Sequence, residues 1–130
     1  MDAQTRRIVA ARALGRCEYC QLPASASPFA SLQIEHIIAK KHGGSDNLDN
    51  LALACFHCNC HKGSDLAGLD PATDALTRLF HPRRDDWQTH FSWRGVEVHG
   101  VTDVGRATVV VLQMNSTAQC EAREALQDEA

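Results

Sequence analysis

Four of the six cysteines in this 130-residue chain fall into two C-x-x-C pairs, Cys17-Glu-Tyr-Cys20 and Cys55-Phe-His-Cys58. A two-residue gap lets both sulfurs of a pair turn toward one ion. Two such pairs a few tens of residues apart match a tetrahedral four-thiolate zinc site. Disulfides are the alternative for the same residues. However, the N-terminus, Met1-Asp2-Ala3-Gln4-Thr5-Arg6-Arg7, has neither the basic start nor the apolar stretch of a secretory signal, and the cytosol keeps thiols reduced. A redox C-x-x-C is a second alternative, but neither pair sits in a βαβ pattern. The expectation is a structural Zn2+ held by Cys17, Cys20, Cys55 and Cys58 in a cytoplasmic protein. Cys60 and Cys120 read as ordinary small side chains.

A second set of reactive side chains lies between and beside these pairs. Glu35 and His36 are adjacent in the apolar stretch Leu32-Gln33-Ile34-Glu35-His36-Ile37-Ile38, where packing gives no reason for either. Asn50 follows a Gly43-Gly44 turn, and Asn59 stands directly after the second cysteine pair. Such side chains suit hydrolysis, which needs an activated water, a group that neutralises the charge that builds on the substrate, and help for the leaving oxygen. A neutral imidazole supplies the first near neutral pH. One divalent ion supplies the other two.

Four segments together resemble the HNH endonuclease family: Arg16-Cys17-Glu18-Tyr19-Cys20, Ile34-Glu35-His36-Ile37-Ile38, the run from Gly43-Gly44-Ser45-Asp46 through Asn50-Leu51, and Cys55-Phe56-His57-Cys58-Asn59-Cys60-His61-Lys62-Gly63. The resemblance implies an α+β fold with a ββα-metal core, a hairpin and a helix clasping one catalytic ion, stapled here by the four-cysteine zinc site. It implies that His36 is the general base, that Glu35 and Asn59 hold the catalytic ion, and that Asn50 orients the loop and the base. The acidic position is often Asp in the family and the last one often His. Two hard oxygen ligands favour Mg2+ or Mn2+. His61, two residues from Asn59 and so on another helix face, is a further candidate for the metal or a phosphate. Lys40 and Lys41 at the hairpin tip and Lys62 on the helix are candidate phosphate contacts, with double-stranded DNA as the expected partner.

Several elements must position these residues. Residues 4–14 read as a helix with Ile8, Ala11 and Leu14 on one face, ended by Gly15. Residues 21–31 read as a Ser/Ala/Pro surface loop. Strands are expected over Leu32–Ile38 and Leu51–Ala54, then a short helix from Phe56 to Lys62 closed by Gly63. Beyond residue 66 the pattern predicts a turn at 69–74, a strand at Leu76–Phe80, a turn at His81–Trp87, and a hairpin of His90–Trp93 with Val96–Val98. Thr102 is the expected N-cap of a helix over about 103–114 with Val104, Val109, Val111 and Leu112 apolar, and a polar helix follows at about 117–128. The expected organisation is one HNH nuclease domain over 1–116, with its core at about 4–64 and a hairpin-and-helix extension at about 66–116. An acidic tail, 117–130, would follow.

The segment from about 70 to 115 loosely resembles an extension of some bacterial HNH proteins, to which no role attaches. Its aromatics, Phe80, Trp87, Phe91 and Trp93, read first as a small core, while Arg83 and Arg84 remain candidate DNA contacts. Hydrophobic residues make up 44% and charged residues 22%, which excludes a wholly disordered or fibrous chain. No apolar run approaches the roughly 20 residues of a membrane-spanning helix. Net charge is −3, yet residues 1–65 carry seven Lys/Arg against six Asp/Glu, so a polyanion would be held by local clusters and a metal. The rival to an endonuclease is a non-catalytic zinc-stapled nucleic-acid-binding module, which would have no need of an oxygen ligand beside a base. A RING-type interaction domain would need further interleaved Cys/His pairs, which are missing.

Overall fold

The computed structural model describes residues 1–26 and 32–129, and the chain divides into two units, Met1–Ser64 and Asp65–Ala130. The mixture of short strands and helices is α+β, as expected. Of the loop expected over 21–31, residues 27–31 lie outside the described residues, and Ala24–Ala26 form a single 3-10 turn.

In the first unit, α1 (Ala3–Arg12) begins where Asp2 accepts a hydrogen bond from the Thr5 amide at 2.8 Å, a side-chain N-cap. It ends two residues earlier than expected, because Leu14 and Gly15 both turn to positive φ, 56° and 67°. That turn corrects the expected buried face. Ile8 and Leu14 are exposed, Leu14 at 83%, and the helix docks instead through Val9, with Ala10 and Ala13 beside it. Val9 packs on Leu51 and Leu53, and the Arg12 guanidinium donates to the Leu51 carbonyl.

Strand β1 (Gln33–His36) pairs antiparallel with β2 (Leu51–Ala54), with Gln33 opposite Ala54 and His36 opposite Leu51. Directly paired residues share a face, and consecutive ones alternate. Ile34, His36, Leu51 and Leu53 therefore face α1, while Gln33, Glu35, Ala52 and Ala54 face the other way. On that side lies α2 (Phe56–Lys62), and the two small alanines leave room for it. Helix α2 starts at Cys55 and closes at Gly63, whose φ is +51° and whose amide donates to the Asn59 carbonyl. The free edge of β2 is covered by the first cysteine turn. Glu18 donates from its amide to the Leu53 carbonyl, and its carboxylate accepts from the Leu53 amide, both at 2.8 Å. All four β2 residues are buried as a result.

The second unit contains two small antiparallel pairs, β3 (Ala67–Leu69) with β4 (Leu76–Arg78), and β5 (Phe91–Arg94) with β6 (Glu97–Gly100). The strand expected to reach Phe80 stops at Arg78, its partner β3 was not foreseen, and the end of the expected turn at 81–87 opens α3 (Trp87–His90). The hairpin around Arg94-Gly95 forms as expected. Thr102 caps α4 (Asp103–Val111), accepting from the Gly105 amide at 3.0 Å. The helix then lies so close to β6 that a Cβ on Gly100 would meet the Arg106 nitrogen at 2.4 Å. Helix α5 (Thr117–Glu129) follows, and its Arg123 is buried, donates to the Val96 carbonyl at 2.9 Å and lies over the Trp93 ring. The aromatics form one cluster: Phe80 and Phe91 are buried, Trp87 packs on Phe91, and Trp93 packs on Trp87 at the surface.

Candidate metal centre and histidine site

The two C-x-x-C turns converge. The sulfurs of Cys17, Cys20, Cys55 and Cys58 all lie within 4.8 Å of one another, and all four residues are buried. The Cys20 and Cys55 sulfurs are 3.6 Å apart. That is far beyond a disulfide bond, about 2.05 Å, and close to the edge of a tetrahedron with metal–sulfur bonds of about 2.3 Å. Each turn also aims an amide at its own leading sulfur, Cys20 N at Cys17 Sγ (3.5 Å) and Cys58 N at Cys55 Sγ (3.4 Å). An amide pointing at sulfur favours the thiolate over the thiol. Burial pushes the Cys17 thiol well above its ordinary pKa, a penalty that a bound cation removes. The donor set, spacing and enclosure therefore fit Zn2+.

Glu35 and His36, adjacent in sequence, have opposite surroundings because β1 alternates faces. The Glu35 side chain is 4% exposed, and its Oε1 lies 2.9 Å from Lys62 Nζ, itself 2% exposed. The Tyr19 hydroxyl, reaching in from the first cysteine turn, donates to the same Oε1 at 3.0 Å. Burial raises the Glu35 carboxyl above its ordinary value, opposed by Lys62 and Tyr19. Its other oxygen, Oε2, is buried with no hydrogen-bond partner. Asn59 lies on the same side of the strand, donating from Nδ2 to Gln33 Oε1 at 2.7 Å, which leaves its carbonyl oxygen as the atom a cation can use.

Lys62 was expected to meet a phosphate. The structure places its ammonium inside the unit, between Glu35 and the Ile37 carbonyl at 2.8 Å. His61, a candidate ligand, has Nδ1 against the His57 carbonyl at 2.8 Å, with its ring tilted over that of His57.

His36 faces α1 and lines a cleft of about 600 Å³ together with Asp2, the N-cap of α1, Thr5 and Arg6 of α1, Ile34 of β1, and Lys40 and Asp46 of the following loop. Its Nε2 lies 2.7 Å from Asp46 Oδ1, and Lys40 Nζ lies 3.2 Å from the same oxygen. The ten residues that separate Asp46 from His36 leave this contact without a signal in the sequence. The loop that delivers it is closed by Asn50. This buried side chain accepts from the Ile38 amide (2.9 Å) and donates to the Ile38 and Ser45 carbonyls (3.0 and 2.8 Å). Gly44 is the residue this closure demands, since a Cβ there would overlap the Ile38 carbonyl oxygen at 1.7 Å. Lys40 and Lys41 are exposed on the loop. In the second unit, Arg84 is exposed and Arg83 half-buried on the 81–86 turn.

Two cysteine turns gripping a strand pair and a helix, with a histidine at the end of the first strand, define a thiolate-stapled α+β unit built around a polar cleft. Residues 17–65 match the family model described as HNH endonuclease. No curated protein and no solved structure gives a match to the chain. Among the described residues no helix is long and apolar enough to cross a membrane.

Proposed function

We propose that this protein is a metal-dependent HNH endonuclease that hydrolyses DNA, with the β1–β2–α2 segment as its ββα-metal core and residues 65–130 as an extension of the nuclease. One observation carries the reading: within the family match, His36 opens onto a cleft that also presents Arg6 and Lys40. His36 takes a proton from the attacking water, and the cleft cations and Lys41 meet flanking phosphates of a duplex. Asn50 holds the 37–50 loop closed so that the imidazole keeps its orientation.

The catalytic ion, Mg2+ or Mn2+, would be held by Glu35 Oε2 and the Asn59 carbonyl. The buried, unpartnered Oε2 is the kind of atom a hard cation satisfies. Glu35 and Asn59 lie on the α2 face of β1 and His36 on the α1 face, so the ion would act on the scissile phosphate and the leaving oxygen across the strand end and not from beside the imidazole. Lys62 and Tyr19 hold the opposite oxygen of Glu35 and so fix the carboxylate in one orientation. A thiolate zinc site needs a reducing compartment, which supports the cytoplasm.

The test is plasmid cleavage with Mg2+ or Mn2+, wild type beside His36→Ala. Cleavage that survives an excess of chelator, or equal rates for the two proteins, would overturn the reading. Binding of DNA with no cleavage by either protein would favour the non-catalytic binding module.

A further inference from the structure

We propose that Asp46 is a positioning residue for His36: it accepts a hydrogen bond from Nε2–H and so leaves Nδ1 as the ring atom that takes the proton. The functional consequence rests on the nuclease reading above; the state of the ring does not. An ionised carboxylate only accepts hydrogen bonds, so a contact of 2.7 Å between Asp46 Oδ1 and His36 Nε2 requires the hydrogen on Nε2. In the neutral imidazole, the lone pair then belongs to Nδ1. Asp46 is suited to this because it is held from both ends. Lys40 Nζ stands 3.2 Å from Oδ1 and 3.3 Å from Oδ2, and its charge favours the ionised carboxylate.

Its backbone is equally constrained. Gly43 at φ +85° and the tight approach of Gly44 to Ile38 turn the chain back, and Asn50 binds the Ser45 carbonyl beside Asp46. The loop that Asn50 closes therefore has a second product, a carboxylate delivered to the base. Removing that carboxylate frees the ring to rotate and to mix its two neutral tautomers, only one of which leaves the lone pair on Nδ1.

The experiment uses the full zinc-loaded chain in two measurements. Long-range proton–nitrogen correlation spectra of the labelled protein, at a pH where His36 is neutral, read its ring directly. Wild type should show a single Nε2–H form, and Asp46→Ala a mixture of both tautomers. In plasmid cleavage, Asp46→Ala should lower kcat by about 10- to 100-fold, less than the about 10²–10⁴-fold a general base itself supplies, with KM nearly unchanged. Asp46→Glu should recover part of the loss. An Nδ1–H ring in the wild type, an unchanged ring in Asp46→Ala, or a variant that cleaves at or above the wild-type rate would each overturn the proposal. Should the wild type fail to cleave while the spectra behave as stated, the positioning stands and the nuclease reading is what fails.

Discussion

The Tyr19 hydroxyl donates a 3.0 Å hydrogen bond to Glu35 Oε1, so a residue inside the first cysteine turn touches the carboxylate on β1. Tyr19 is wholly buried, and its neighbours in the chain, Cys17 and Cys20, belong to the cysteine cluster. The cysteine cluster and the strand carboxylate thus share a structural support. Tyr19→Phe keeps the ring and deletes the bond. The expected cost is about 1.5–3 kcal/mol, the usual range for a hydrogen bond to a charged group. Denaturant melts of the two proteins measure it, with zinc content unchanged; equal stability would show that the bond contributes nothing.

Zinc should be bound at about one equivalent per chain. Its removal should unfold the first unit, because both cysteine turns and the covered edge of β2 lose their common anchor. Elemental analysis and circular dichroism of the wild type, of the chelated protein and of Cys55→Ser check this. Full helicity and unchanged melting after chelation would contradict a structural role.

Lys62→Met should be more damaging than its conservative volume suggests. It leaves the Glu35 carboxylate buried with Tyr19 as its remaining hydrogen-bond donor among the described residues, at a cost of about 3–5 kcal/mol. The double variant Lys62→Met, Glu35→Leu should recover much of that loss, since replacing both members of a buried pair is often neutral. Thermal melts of the two variants decide it. A lysine that served phosphate alone would show no such rescue.

His36→Ala should lose about 10²–10⁴-fold in cleavage rate while folding and binding DNA, since the side chain is asked to move a proton and is partly exposed. Asn59→Ala should be rescued in part by raised Mn2+, measured as the ion concentration giving half-maximal cleavage. Glu35→Ala is the poorer test of the ion, because it strands the Lys62 ammonium in the interior.

Acid should destabilise the second unit through Asp70. The enclosed carboxylate receives two 2.8 Å bonds from the Arg106 guanidinium, and that pairing, with the Ala72 amide, holds Asp70 well below the ordinary aspartate value. A depressed folded-state pKa contributes stability that is complete above the unfolded value, about 3.9, and is lost as pH falls below it. Both tryptophans, Trp87 and Trp93, belong to this unit, so their fluorescence follows its urea unfolding alone. The midpoint should fall as pH drops from about 5 toward 2, and Asp70→Asn should flatten that slope.

The four-cysteine cluster was legible in the sequence because a C-x-x-C turn is a local geometry: two residues of spacing decide that both sulfurs face one point. Strand β2, helix α2 with its Gly63 stop, and the Thr102 cap were legible for the same reason, each set by a short pattern acting on its own backbone. The face of α1 was not, since Leu14 leaves the helix at a positive φ and docking falls to Val9, which only the packed Leu51 and Leu53 select. Nor were the partners of the site residues. Strand alternation separates Glu35 from His36, and which face is dry is decided by what lies on it. On one side α2 and Tyr19 enclose Glu35 and draw Lys62 inward; on the other, the loop closed by Asn50 brings Asp46 across ten residues to the imidazole. Residue types announce which chemistry is available. Contacts between segments far apart in the chain decide which oxygen meets which nitrogen, because burial and hydrogen-bond pairing are properties of the assembled interior and not of any one stretch of sequence.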